Sequence, residues 1–191
     1  MMNKPALRKY YLSKRKALSQ AEILDQSQAI VELFFQHFNL SEVKYLHTFL
    51  PIIKHNEINT FLLIERLQAE FPQVQIVVPK SIPETYEMEH FLYDEEKLVE
   101  NKWGIPEPVS GELIAPSEMS IVLVPLLIFD EQGNRVGYGK GFYDRFLQEC
   151  SSELIKIGLC LEEPIDKIED INEFDIKLDY CITPNRLYSL G

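Results

Sequence analysis

No stretch of this sequence is long enough to cross a membrane as a helix. The longest apolar run, Ile121 to Phe129, has nine residues and is interrupted by Pro125, against the ~20 residues a bilayer requires. No apolar segment of the signal-peptide type stands near the amino terminus, so no secretory signal is visible. Cysteine is scarce: Cys150, Cys160 and Cys181 are odd in number and lack CxxC spacing, which argues against a disulfide framework or a zinc site. The four histidines, His37, His47, His55 and His90, form no HExxH pattern. Tryptophan occurs once, at Trp103. No internal repeat or low-complexity tract divides the chain, and residues 1–191 are expected to form one domain. A reducing cytoplasm is the expected compartment.

The charge is not evenly spread. The formal charge is −11, yet residues 1–21 hold Lys4, Arg8, Lys9, Lys14, Arg15 and Lys16 and no carboxylate. A chain this acidic repels nucleic acid and anionic membrane as a whole, so neither is an expected partner. The basic segment reads either as a solvated helix face or as a local cradle for a small anion.

With 46% apolar residues the chain can bury a core. Asn3 and Pro5 read as a helix start that puts Lys4, Arg8, Tyr11 and Arg15 on one stripe. Ser19 and Glu22 form a capping box that restarts a helix running to about Asn39. Strands are expected at Val43–Leu50, at Gln75–Val78 ending before Pro79, at Ile121–Ile128, Ile155–Leu161 and Tyr180–Thr183. Tyr86–Tyr93 reads as a strand outside the main alternation. Helices are expected at Thr60–Glu70 and Phe142–Glu149. Short, fully apolar strands alternating with helices predict a layered α/β/α domain with a mainly parallel sheet. Ligands in such folds sit beyond the carboxyl ends of strands, which points to Phe129–Tyr143.

That segment is the informative one. Gly137, Gly139 and Gly141 alternate through it, and a helix follows. Glycines let backbone amides approach an anion, and the helix start adds unpaired N–H groups and a positive dipole end. Lys140 supplies a mobile charge and Arg135 a forked donor. The pattern is neither a Walker A loop nor GxGxxG. An ordinary tight turn is the plainer reading. Asp144, just inside the helix, can complement the dipole or hold Mg²⁺ beside phosphates, and composition does not choose between them.

Phe129-Asp130-x-x-Gly133-x-Arg135-Val136-Gly137-x-Gly139-Lys140-Gly141-Phe142-Tyr143-Asp144 resembles the signature of the 5-formyltetrahydrofolate cyclo-ligase family, also called 5,10-methenyltetrahydrofolate synthetases. Lys4-x-x-x-Arg8, Asn56–Thr60, Trp103–Pro108 and Phe174–Asp179 agree in order, so the resemblance spans essentially the whole chain. It implies a fold akin to ribose-phosphate isomerases and CoA transferases. It also implies an ATP-dependent closure of 5-formyltetrahydrofolate to 5,10-methenyltetrahydrofolate, needing Mg²⁺ and no protein nucleophile or obligatory protein partner. By the same resemblance Lys4, Arg8 and Arg135–Tyr143 (Arg135, Val136, Gly137, Tyr138, Gly139, Lys140, Gly141, Phe142, Tyr143) contact ATP, with Lys140 and Arg135 acting on the transferred phosphoryl group. Arg8, Ile52, Glu57, Trp103 and Tyr138–Phe142 face the folate, and Asp144 and Asp175 hold the metal, with Asp179 an alternative to the second. The residues taken alone also fit a sugar-phosphate isomerase using Glu57 or Asp130 as base, or a non-catalytic folate or nucleotide binder.

Overall fold

A computed structural model describes residues 3–101 and 104–191 of the chain. Two helices open it, α1 (Lys4–Lys16) and α2 (Gln20–His37), followed by β1 (Tyr45–His47) and α3 (Phe61–Glu70). Then come β2 (Gln75–Ile82), β3 (Glu87–Leu92), β4 (Leu98–Glu100), β5 (Pro106–Pro108), β6 (Ile121–Pro125), β7 (Ile128–Phe129) and β8 (Arg135–Val136). The chain closes with α4 (Phe142–Glu149), β9 (Ile155–Leu159), β10 (Tyr180–Ile182) and β11 (Leu187–Ser189). The main sheet has seven strands in the order β11-β10-β9-β6-β1-β2-β3. Its five inner strands are parallel, and the edge strands β3 and β11 run antiparallel to their neighbours.

The two faces follow from the pleat. On β6, Ile121 and Leu123 join the cluster that holds Ile30, Phe34, Leu63 and Leu67 of α2 and α3, whereas Val122 and Val124 join Phe146 and Leu147 of α4 on the other face. The side chains from Val122 to Val124 have no exposed surface, and burial of each stabilises the fold by roughly 1.5–3 kcal/mol. Helix α1 docks separately, through Leu7 against Ile128, Val136 and Ile168. Its start is fixed by Asn3, whose side chain accepts from the Ala6 N–H at 3.0 Å. Both bonds of the Ser19/Glu22 capping box are present at α2.

Several boundaries differ from the sequence reading, for local reasons. Pro79 does not end β2, because β1 pairs with β2 only through Val77. Beyond that point β2 has no parallel neighbour to which Pro79 would owe an N–H. The hairpin partner β3 then joins the main sheet as its edge. Strand β1 is shorter than Val43–Leu50: only the Thr48 N–H still reaches the sheet, at Val77 O (2.9 Å), before the chain turns off. The Ile121–Ile128 run is two elements, since β6 stops at Pro125 and β7 pairs with β8 in a separate hairpin. The β4–β5 ribbon and β11 differ from the sequence reading because three-residue segments are too short to show an alternating apolar pattern.

Candidate active site

Strand β1 lies between β2, reached through α3, and β6, reached from further along the chain. Connections leave β1 and β6 in opposite directions, and such a switch opens a crevice at the carboxyl ends of the strands. A cavity of about 770 Å³ occupies that position, within the roughly 300–1,000 Å³ typical of small-molecule sites. Residues after β1 (Phe49 to Glu57), the loop after β8, and Lys4 and Arg8 of α1 line it.

The loop is held from below by Asp130. This fully buried carboxylate accepts from the N–H groups of Gln132 (3.0 Å), Asn134 (2.9 Å) and Ile168 (2.9 Å). Its oxygens are committed to folding the β7–β8 turn, and it does not line the cavity, so it is not a base for any reaction there. Above the turn, Arg8 Nε donates to Gly137 O at 2.8 Å. Gly139 has φ +84°, and a Cβ built there would stand 2.7 Å from Arg8 Cζ. Only glycine lets the guanidinium lie against the loop backbone. Gly141, with φ +74°, is the N-cap of α4 and gives it no side-chain cap. The first-turn amides of α4 are therefore open to an anion arriving from the cavity. Lys140 stands between these two glycines, exposed, with Nζ 6.0 Å from the centre of the Tyr86 ring.

Two carboxylates meet two of the cations. Asp144 Oδ1 accepts from Arg135 Nη2 at 2.7 Å and from the Ile176 N–H at 3.1 Å. Asp175 Oδ2 is paired with Lys4 Nζ and accepts from the Asn172 N–H at 2.7 Å. These contacts draw the 172–176 segment over the start of α4. Among the described residues no three His, Cys, Asp or Glu side chains converge as a metal cage. Two separate carboxylates facing a cationic phosphate cradle do fit Mg²⁺, which takes one or two carboxylates and completes its shell with phosphate oxygens and water.

Glu57 forms the opposite wall. Its Oε2 accepts from the Ile52 N–H at 2.6 Å and its Oε1 from the Tyr138 hydroxyl at 2.5 Å. The Glu57 carboxyl stands above its ordinary value because burial pushes it up, and the Tyr138 hydroxyl, the Ile52 N–H and the charge of Arg15 pull it only part of the way back. Tyr138 is held high as a phenol by burial and by Glu57 beside it. The His55 ring lies 5.6 Å from that of Tyr138 and is pushed down by burial and by Lys16, Lys54 and Arg15.

Lys4, Arg8, Ile52, Glu57, Arg135 to Tyr143, Asp144 and Asp175 all line the one cavity. Asp179 does not; it binds Lys156 through its N–H (2.7 Å) and Nζ (2.9 Å). Trp103 lies outside the described residues. Sequence reasoning did not single out several residues of the site, three of them charged or aromatic groups with a clear place in it. Arg145 and Phe174 line the cavity, and Arg145 Nη1 donates to Lys140 O at 3.1 Å. Arg15 stands behind the wall, and its place on the Lys4/Arg8/Tyr11 stripe was the available signal.

The chain is similar to known proteins along most of its length. The sequence model of the 5-formyltetrahydrofolate cyclo-ligase family matches residues 1–184. A probable 5-formyltetrahydrofolate cyclo-ligase of Schizosaccharomyces pombe is 33% identical over 59% of this chain and 62% of that protein. The 5-formyltetrahydrofolate cyclo-ligase of Mycoplasma pneumoniae is 30% identical over 95% of this chain and 98% of its own. The solved structure of Aquifex aeolicus 5,10-methenyltetrahydrofolate synthetase superposes with a TM-score of 0.77 at 27% identity, covering 99% of this chain and 93% of that one.

Proposed function

Because the chain belongs to the 5-formyltetrahydrofolate cyclo-ligase family, we propose that it closes 5-formyltetrahydrofolate to 5,10-methenyltetrahydrofolate at the expense of ATP. The observation that carries this reading is convergence: the glycine loop, Lys4, Arg8, Glu57, Asp144 and Asp175 come from distant parts of the sequence and line one cavity.

The formyl oxygen of an amide is a poor leaving group. In the proposed reaction it attacks the γ-phosphorus of ATP, the bond from phosphorus to the ADP oxygen breaks, and ADP departs. Nitrogen N10 of the folate then attacks the activated formyl carbon and loses its proton. The carbon–oxygen bond breaks, and phosphate leaves with the former formyl oxygen. Phosphoryl transfer asks little covalent chemistry of the protein and much positioning and charge neutralisation. Arg8, Arg135, Lys140 and the open amides of α4 supply donors for the phosphates. Asp144 and Asp175 would hold Mg²⁺, which when bound neutralises phosphate charge. Glu57 accepts from the paired N–H donors of the pterin ring, and Ile52 and Phe142 contribute apolar wall beside it. Small-molecule substrates suffice for this chemistry. Among the described residues no helix is long and apolar enough to cross a membrane, and Cys150, Cys160 and Cys181 are free thiols; the cytoplasm is the proposed compartment.

Incubation with Mg-ATP and 5-formyltetrahydrofolate is expected to produce the methenyl chromophore and ADP in equal amounts. Neither should form with a non-hydrolysable ATP analogue. Chromophore formation at an equal rate with the analogue, or ADP release without chromophore, would remove the reading.

A further inference from the structure

Arg15 is only 5% exposed, and among the described residues no carboxylate lies within ion-pair distance of it. Its Nη2 donates to Leu126 O at 2.5 Å and its Nη1 to the Tyr138 hydroxyl at 3.2 Å. A buried guanidinium satisfied only by a carbonyl and a phenol is costly unless a negative charge lies close by. That charge is Glu57, one hydrogen bond further on, since Tyr138 reaches Glu57 Oε1.

The chain of bonds has only one polarity. Arginine can donate and cannot accept, so the Tyr138 oxygen must accept from Arg15. Its single proton must then point to Glu57. The Ile52 N–H likewise can only donate, to Oε2. Both Glu57 oxygens are thereby used as acceptors, as an ionised carboxylate requires. The same helix end fixes the loop carrying Glu57, because Asn56 Nδ2 donates to the carbonyls of Arg15 (3.1 Å) and Leu18 (2.8 Å). We propose that Arg15 is a positioning residue that acts through Tyr138 to hold Glu57 as an aimed, ionised acceptor for the N–H donors of the reduced pterin. The inference rests on the assignment of Glu57 to the folate.

The groups facing Glu57 are Arg15 from α1, Tyr138 from the glycine loop and Tyr143 from α4, with His55 behind Tyr138. Removal of Arg15 leaves burial less opposed, so the carboxyl keeps its proton to higher pH and accepts less well.

Calorimetry on the full chain tests this, with 5-formyltetrahydrofolate titrated in the absence of ATP and Mg-ATP in the absence of folate. Arg15→Met is expected to weaken folate binding about tenfold or more while ATP affinity changes less than about twofold, because the donor removed is the one that holds the Tyr138 phenol, and through it Glu57, on the folate wall. The folate deficit should deepen from about pH 8 to about pH 6, in a His55→Gln background that removes the imidazole's own titration. Arg15→Lys, which keeps a charged donor, should recover part of the affinity. The double variant with Tyr138→Phe should bind folate no worse than the weaker single variant, as members of one relay do. If Arg15→Met fails to fold, Tyr138→Phe alone decides, through the same pH-dependent folate loss. Equal losses for ATP and folate, or a folate deficit independent of pH, would overturn the relay. Glu57→Gln separates the two levels. Retained folate binding there removes the assignment of Glu57 and the relay with it; lost binding in Glu57→Gln beside normal binding in Arg15→Met removes the relay alone.

Discussion

Replacing Lys140 by methionine is expected to lower kcat by about 100- to 1,000-fold at saturating Mg-ATP, the range found when one preorganised charge-stabilising donor is removed. Lys140 sits between Gly139 and Gly141, both at positive φ, beside the uncapped first turn of α4. In the proposed reaction, phosphate entering this cradle would meet both the backbone amides of α4 and the Lys140 ammonium. The structural cost of the change is small. The side chain is exposed, and its aromatic neighbour Tyr86 is 6.0 Å away, so stability should stay within about 0.5 kcal/mol. Steady-state kinetics with a parallel thermal melt check both statements. A loss below about threefold in kcat would assign the charge to solvation of an ordinary turn.

Asp144→Asn is expected to raise the magnesium concentration for half-maximal rate by about tenfold or more, with the rate recovering in excess metal. Asparagine keeps an oxygen for the Ile176 N–H, whose bond to Asp144 is 3.1 Å, but loses the charge that faces Arg135 at 2.7 Å. Arg135 is nearly buried and Asp144 is about a quarter exposed, so a stability loss of roughly 1–3 kcal/mol accompanies the change, below the value for a fully buried pair. A purely structural carboxylate shows that loss with an unaltered magnesium titration. Asp175→Asn should behave as Asp144→Asn does. Asp179→Asn should leave the titration unchanged, because Asp179 serves Lys156 and does not line the cavity.

The glycine loop stood out in the sequence because its chemistry is local, whereas Glu57, Asp144 and Asp175 were assigned only through the family resemblance, since an isolated carboxylate carries no local signal of what it will face. Three alternating glycines, one lysine and a helix start in a row fit an anion cradle or a tight turn, and both readings need only these neighbours. The sheet was legible for a similar reason: Ile121 to Val124 is apolar on both faces and can only be a central strand. Arg15 was not legible in this way. Along α1 it continues a basic stripe, and nothing in the sequence says that the stripe turns inward at its carboxyl end. Its burial depends on Leu126 and Tyr138, more than a hundred residues away in sequence. Pro79 misled for the converse reason. A proline ends a strand only where a neighbour needs its N–H, and β1 stops before that point. Asp130 looked like a candidate base by residue type; its role as a turn clasp is visible only from the donors that surround it.

The pairing of Lys4 with Asp175 and of Arg135 with Asp144 has a consequence for ligand entry. Two of the four cations proposed for phosphate, Lys4 and Arg135, are each paired with a carboxylate proposed for magnesium. In the proposed reaction, phosphate and metal arriving together would give each member of these two pairs a new partner of opposite charge, whereas either alone would leave one sign in excess.

The fate of the formyl oxygen tests the central claim most directly. With 5-formyltetrahydrofolate carrying a heavy oxygen isotope in the formyl group, a single turnover with Mg-ATP is predicted to place that oxygen in the released phosphate, as mass spectrometry of the phosphate would show. Labelled oxygen in water, with phosphate unlabelled, would contradict attack of the formyl oxygen on the γ-phosphorus and with it the proposed mechanism.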